Sequence, residues 1–368
     1  MTKRIQIRRV SVPYSPDDAV PPGRTLQETL DALQMDQREL AERTGLSVKH
    51  VNQVIKGVAT LTPDTAIRLE RVTGVPATFW NNLEANYQTH QMRATHRGQS
   101  REPSVLAWLK NIPTKELISR GKISGAGNST ALLEEVLRFF GVASVEAWKA
   151  GWEKPQFAFR KSPAFEGQKG AMATWLRLCE LAAVEMDCKP FAKKKFQAAL
   201  QQIRALTVSE PEVFIPAIQS LCREAGVAVV FVREIQGAPV SGAAKWLSPR
   251  KAMLGLNLRG KVNDRFWFSF FHEAGHLLHD SKKETYIDVH AVDDPREQRA
   301  NQFAANFLIP PAKAGELADL RTADDVESFA RQLGIAPGIV VGRLQHDGTI
   351  PYSQWNGLKK KLKWSDHV

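Results

Sequence analysis

The pentad His272-Glu273-Ala274-Gly275-His276 lies inside an apolar stretch, FFHEAGHLLH, that reads as helix from about Asn263. Residues four apart on a helix share one face about 6 Å apart, so His272 and His276 can reach one ion while Glu273 reaches a water on it. That is the arrangement hydrolysis needs. A metal brings the pKa of its water toward neutrality and polarises the carbonyl under attack, and a nearby carboxylate takes the proton. In a chain of this length the pattern would arise by chance in about one case in a hundred.

Hydrolytic metal sites commonly take three protein ligands and leave one position open. Glu297 is the candidate third ligand. It sits in PREQRANQFAANFLIP, residues 295–310, where Ala300, Phe303, Ala304, Phe307 and Leu308 form a buried helical stripe that Pro310 stops. Glu297 and Asn301 are four apart, so one can ligate while the other orients a histidine. His279 competes from the same helix face as His276, but beside Asp280 at the helix end it reads more simply as a solvated residue.

A second pattern lies near the N-terminus. Asp36 with Glu39 opens a helix, Leu40 and Ala41 face inward, and Gly45 supplies a sharp turn. Ser47 caps the next helix, with Val51, Val54 and Ile55 inward and Val48, Lys49, His50, Asn52 and Gln53 left outside. Gly57 stops it, and Thr62 with Pro63 starts another. Two short helices across a glycine turn, the second showing polar side chains at its start, fit a DNA major groove.

The elements that must position these residues occupy 368 residues, enough for two or three domains. With 43% apolar and 24% charged residues the chain is neither disordered nor collagenous. It has no apolar run long enough for export or membrane insertion, and a cytoplasmic location is expected. Cys179, Cys188 and Cys222 have no CxxC spacing and read as buried thiols in a reducing compartment. The net charge of +11 concentrates in residues 101–205, which hold 17 basic and 10 acidic side chains, including Lys193, Lys194 and Lys195; a polyanion is the partner such a surplus attracts.

That middle stretch reads as helical, with apolar clusters at 105–109, 131–140 and 175–184 and turns at 125–128 and 163–170. A helix from Pro211 to Glu224 precedes VAVVFV, residues 227–232, a run suited to a buried strand. Residues 242–247 and 252–258, either side of Ser248-Pro249, suggest a hairpin or meander. Met172, Trp175 and Trp267 are core candidates. Residues 324–344 repeat helix, glycine turn, helix, without an exposed polar recognition face, and a basic tail follows at 359–363.

Residues 38–57, RELAERTGLSVKHVNQVIKG, with TLTPDTAIRLERVTGV after them, resemble the helix-turn-helix of Xre-class repressors, and VPATFWNNLEANYQ is similar to HigA-type antitoxins. This resemblance implies Val48, Lys49 and Gln53 at base edges, Gln37 and Asn52 near phosphates, and a homodimer on double-stranded operator DNA. HEAGHLLH followed by E-x-x-A-N-x-F-A-x-x-x-L-I-P resembles the ImmA/IrrE metallopeptidases over about 206–350. It implies a zincin-like fold of gluzincin type, zinc or manganese as cofactor, and cleavage of Xre-type repressors, in some members stimulated by single-stranded DNA.

Two features depart from that family. Arg299 stands where many members have a second glutamate and reads as surface variation, and this chain carries its own helix-turn-helix. The expected fold class is mainly α with a small β-sheet (α+β). The expected parts are an N-terminal arm (1–21), a helix-turn-helix domain (22–92), a helical basic middle (93–205), a peptidase core (206–312) and a C-terminal helical segment (313–368). The function read is a DNA-binding regulator with a metallo-endopeptidase domain acting on a repressor- or antitoxin-like protein in a stress, phage or toxin-antitoxin setting. The alternative is a non-catalytic regulator whose metal-holding fold binds a toxin or senses damage, and the intact HExxH argues for the enzyme.

Overall fold

The computed structural model describes residues 20–99, 102–152, 168–282, 285–287 and 294–365. The arm expected over 1–21 lies outside them save its last two residues, as does most of the turn expected at 163–170. The chain divides into two compact units, Met1–Glu102 and Pro103–Val368.

In the first unit the helix punctuation of the sequence is realised. The helices are α1 (Pro22–Ala32), α2 (Gln37–Thr44), α3 (Val48–Ile55), α4 (Pro63–Thr73) and α5 (Ala77–Gln99). Asp36 accepts from Glu39 N, Ser47 from His50 N and Thr62 from Thr65 N, each satisfying a backbone donor that the first helical turn leaves free. Gly45 ends α2 at φ +71°, the left-handed region that lets the chain turn into α3. The core gathers Leu26, Leu30, Leu40, Val51, Val54, Leu69 and Trp80.

The second unit opens with α6 (Pro103–Lys110), α7 (Thr114–Ser119), α8 (Ser129–Phe140), α9 (Val145–Trp152), α10 (Lys169–Glu185), α11 (Lys193–Ala205) and α12 (Pro211–Glu224). Strands β1 (Val227–Phe231), β2 (Gly242–Ser248) and β3 (Lys251–Leu256) follow, then α13 (Asn263–His279), β4 (Thr285–Ile287), α14 (Pro295–Leu308), α15 (Pro311–Ala314), α16 (Ala323–Leu333) and α17 (Pro337–His346). The architecture is mainly helical around one small mixed sheet of order β1-β3-β2-β4. β2 and β3 form the expected antiparallel hairpin, but β1 runs parallel to β3 instead of continuing a meander.

The sheet is buried on both faces, which is why β1 shows no polar alternation. Val227 and Val229 join the core under α12 and α13, whereas Ala228 and Val230 join a second core with Trp108, Phe140, Met172 and Trp175. α13 runs across the first face with Phe266, Trp267, Phe270 and Phe271 all buried. Each such ring contributes about 2–3 kcal/mol through the area it removes from water, and together they fix the helix that carries HExxH.

Three further observations refine the sequence reading. Cys179 and Cys222 are buried, but Cys188 is half-buried. α17 packs its buried Ile339, Val340, Val341 and Leu344 into the α13 core, so the second helix-turn-helix-like segment is structural. The basic tail is not wholly solvated. Lys359 Nζ lies 2.6 Å from Asp264 Oδ2 and 2.7 Å from Gln345 Oε1, a buried ion pair at the start of α13.

Arg204 on α11 binds the ends of two helices at once. Its guanidinium donates to the carbonyl oxygens of Phe307 (2.8 Å), Leu308 (2.8 Å) and Leu333 (2.9 Å). Hydrogen bonds from a charged donor contribute about 1.5–3 kcal/mol, so Arg204→Ala is expected to lower the unfolding midpoint by roughly 3–6 °C in calorimetry. Arg204→Lys should recover less than half of that, because one ammonium cannot span three carbonyls. An unchanged midpoint in the alanine variant would contradict this role.

Candidate metal centre

Two helices build the site. α13 presents His272, Glu273 and His276, and α14 presents Glu297 and Asn301. They meet closely because Gly275 faces α14: a Cβ there would stand 3.1 Å from the Phe303 ring and 3.3 Å from Ala300 Cα. Asp294 caps α14 by accepting from Arg296 N, which sets Glu297 in the first turn.

His272, His276 and Glu297 converge, with one ligand atom from each lying within 4.8 Å of the others. The two Nε2 atoms are 3.1 Å apart, and Glu297 sits 3.1 Å from His272 Nε2 and 3.5 Å from His276 Nε2. Both outward nitrogens are engaged: His272 Nδ1 donates to Asn301 Oδ1 at 2.9 Å and His276 Nδ1 to Asp280 Oδ2 at 2.7 Å. With Nδ1 holding a proton, each ring turns Nε2 toward its partners, the tautomer a metal ligand requires. Two imidazoles and a carboxylate, buried and convergent, fit a divalent ion of zinc type.

The electrostatics agree with that fit. Burial alone would lower the pKa of His276, but hydrogen bonds to Asp280 and Glu297 and the charges of Glu273 and Glu297 outweigh it and push it up to about 10. Burial would raise Glu297, yet the hydrogen bonds from both histidines bring it down to about 2. The set therefore holds negative charge and a displaceable proton at one point, which a cation can replace.

Glu273 is fully buried, one position along α13 from His272. Gly242 at the start of β2 makes room for it: a Cβ there would lie 2.6 Å from Glu273 Oε1. His279 stands apart from the cluster, exposed, with its ring edge-on to Phe303. Partial desolvation of its ring against the protein, together with the charge of Lys193, lowers its pKa.

Three neighbours of the cluster were not singled out as site residues by sequence reasoning. Asp280, four residues after His276, was the one with a signal, its i,i+4 spacing. Tyr286 on β4 stacks on the His276 ring, centroids 4.4 Å apart and planes within 7°. Arg299 corrects an expectation: instead of surface variation it forms an ion pair with Asp280 Oδ1 at 2.7 Å.

In the first unit Val48 and Lys49 are exposed at the start of α3, and Asn52 and Gln53 are half-buried along it. Gln37 and Asn52 are brought together: Asn52 Nδ2 donates to Gln37 Oε1 at 3.1 Å, and Gln37 Nε2 donates to Gln27 Oε1 at 3.3 Å. This ties the start of α2 to the middle of α3.

Comparison with known proteins gives kinship for both units. A family profile described as Helix-turn-helix matches residues 26–80, and one described as IrrE N-terminal-like domain matches residues 222–345. An uncharacterized HTH-type transcriptional regulator of Escherichia coli (strain K12), YddM, is 36% identical over 63 residues, 17% of this chain and 67% of that protein. A HigA-family addiction module antidote protein from Coxiella burnetii is 30% identical, covering 22% of this chain and 88% of that one, with a TM-score of 0.21. The Pseudomonas aeruginosa antitoxin HigA, solved with the higBA promoter, is 29% identical over 23% of this chain and 98% of its own, with a TM-score of 0.22. The chain thus belongs with the helix-turn-helix transcriptional regulators through its first unit, and its second unit carries an IrrE-like domain over residues 222–345.

Proposed function

We propose that this chain is a cytoplasmic, DNA-binding regulator whose second unit is a metal-dependent endopeptidase that cuts a repressor- or antitoxin-like protein. The observation that carries the reading is the buried convergence of His272, His276 and Glu297 with Glu273 beside them on the same helix. Zinc suits this donor set best, with manganese as the other candidate. The ion, when bound, supplies an electrophile for the peptide carbonyl and acidifies water.

The remaining chemistry belongs to the chain itself. Glu273 accepts a proton from the attacking water at its carboxylate and passes it to the departing amine nitrogen. Gly242 keeps the space that this carboxylate occupies. Asn301 holds His272 in the ligating tautomer.

For the first unit the reading is a homodimer on a palindromic operator, with α3 in the major groove. Val48, Lys49 and Gln53 meet base edges, and Gln37 and Asn52 meet phosphates, their mutual hydrogen bond setting the register. Single-stranded DNA is the candidate activator. The basic run at Lys193, Lys194 and Lys195 is where it would act, since Lys193 Nζ donates to Leu278 O, in the last turn of the HExxH helix.

Glu273→Gln keeps the shape and a hydrogen-bonding tip but removes the proton acceptor, so it should abolish cleavage of co-expressed operon neighbours, read by mass spectrometry, and leave metal and DNA binding intact. Gly242→Ala should reduce cleavage at least tenfold by displacing that carboxylate; full activity in Glu273→Gln would refute the mechanism and favour a purely binding role. In the DNA assay, Lys49→Ala and Gln53→Ala should each lower the preference for operator over scrambled duplex by about 1–3 kcal/mol. Parent-like preference in both would move the reading surface elsewhere.

A further inference from the structure

The two histidines of the centre are held differently. His272 Nδ1 faces the neutral amide oxygen of Asn301 at 2.9 Å, whereas His276 Nδ1 faces the carboxylate of Asp280 at 2.7 Å. Asp280 is itself almost fully buried, at 2% side-chain exposure, and its second oxygen is held by Arg299 at 2.7 Å. Arg299 comes from α14, the helix that also brings Glu297, so this strap joins the two helices of the site a second time.

Helix stability does not account for an acid at that position. Asp280 is the residue that ends α13, where the helix macrodipole favours a cation and disfavours an anion. Its backbone leaves the helix in an extended conformation while its N–H still donates to His276 O, which lets the carboxylate fold back onto the His276 ring. Tyr286 stacked on that ring prevents it from turning away.

We propose that Asp280, clamped by Arg299, is a positioning residue that makes His276 the stronger-donating imidazole of an asymmetric metal centre. A carboxylate hydrogen-bonded to one ring nitrogen increases the electron density available at the other, more than an amide oxygen does. Arg299 acts through Asp280: its guanidinium fixes the carboxylate that holds the His276 ring. This inference rests on the reading of the cluster as a metal site.

The test is zinc affinity of the full chain, measured against a competing chromophoric chelator, together with the visible absorption of the cobalt(II)-substituted protein. Asp280→Asn keeps size and an acceptor but removes charge, and should weaken zinc binding about 10–100-fold and shift the cobalt bands. Arg299→Ala should weaken it less, in the same direction, and the double variant should bind no worse than Asp280→Asn, because Arg299 has no route to the metal except through Asp280. The unfolding midpoint of chelator-stripped protein separates this role from a merely structural one, which would lower the midpoint and leave zinc affinity unchanged. Should Asp280→Asn fail to fold, the exposed Arg299→Ala decides: reduced affinity supports the proposal, and unchanged or higher affinity overturns it. Parent protein that binds zinc while Asp280→Asn binds it equally well refutes the positioning role alone; parent protein that binds no zinc refutes the metal reading with it.

Discussion

Four ionisable side chains, His272, Glu273, His276 and Glu297, are withdrawn from water between two helices, and the rest of the second unit is arranged around that constraint. Isolated buried charges cost several kcal/mol each, so a helix as apolar as α13 can hold these groups only where each meets a partner or an ion. α14 supplies Glu297 and Asn301 to that end, and the small residue Gly275 sets how closely it approaches. The aromatic core under α13, the Lys359–Asp264 pair at one end and the Lys193 contact to Leu278 at the other hold the helix along its length.

The first unit solves a simpler problem by local means. Helices α2, α3 and α4 are short, and each of their starts is fixed by a side-chain cap rather than by long-range packing alone. The outcome is a rigid α2–α3 pair whose exposed residues, Val48 and Lys49, stand at the beginning of the second helix. The helix-turn-helix and the IrrE-like domain are thus parts of separate compact units of one polypeptide, each unit with its own core.

Much of this was legible because the decisive signals are local. Asp36, Ser47 and Thr62 announce helix starts within three residues of the groups they bind, and the His272–His276 spacing encodes a shared helix face. Glu297 could be chosen because its helix was periodic and bounded by prolines at 295 and 310. What escaped depended on contacts between distant segments. β4 is three residues long, too short to show a pattern, yet it delivers Tyr286 to His276. Arg299 looked superficial because its charge sits on the polar side of α14, and only the fold brings Asp280 beneath it. The parallel pairing of β1 with β3 likewise follows from the crossover between them, which strand propensity does not encode.

The central claim is that His272, His276 and Glu297 hold one divalent ion, and equilibrium zinc titration of the purified chain from pH 6 to pH 9, with metal content counted after dialysis, tests it most directly. Hydrogen bonds to Asp280 and Glu297 favour a proton on His276, and that proton must leave before the ring can ligate, so affinity should rise as pH rises. The expected result is one ion per chain, lost in Glu297→Ala and kept in His279→Ala. Full occupancy in Glu297→Ala, or a parent protein that retains no ion, would contradict the assignment.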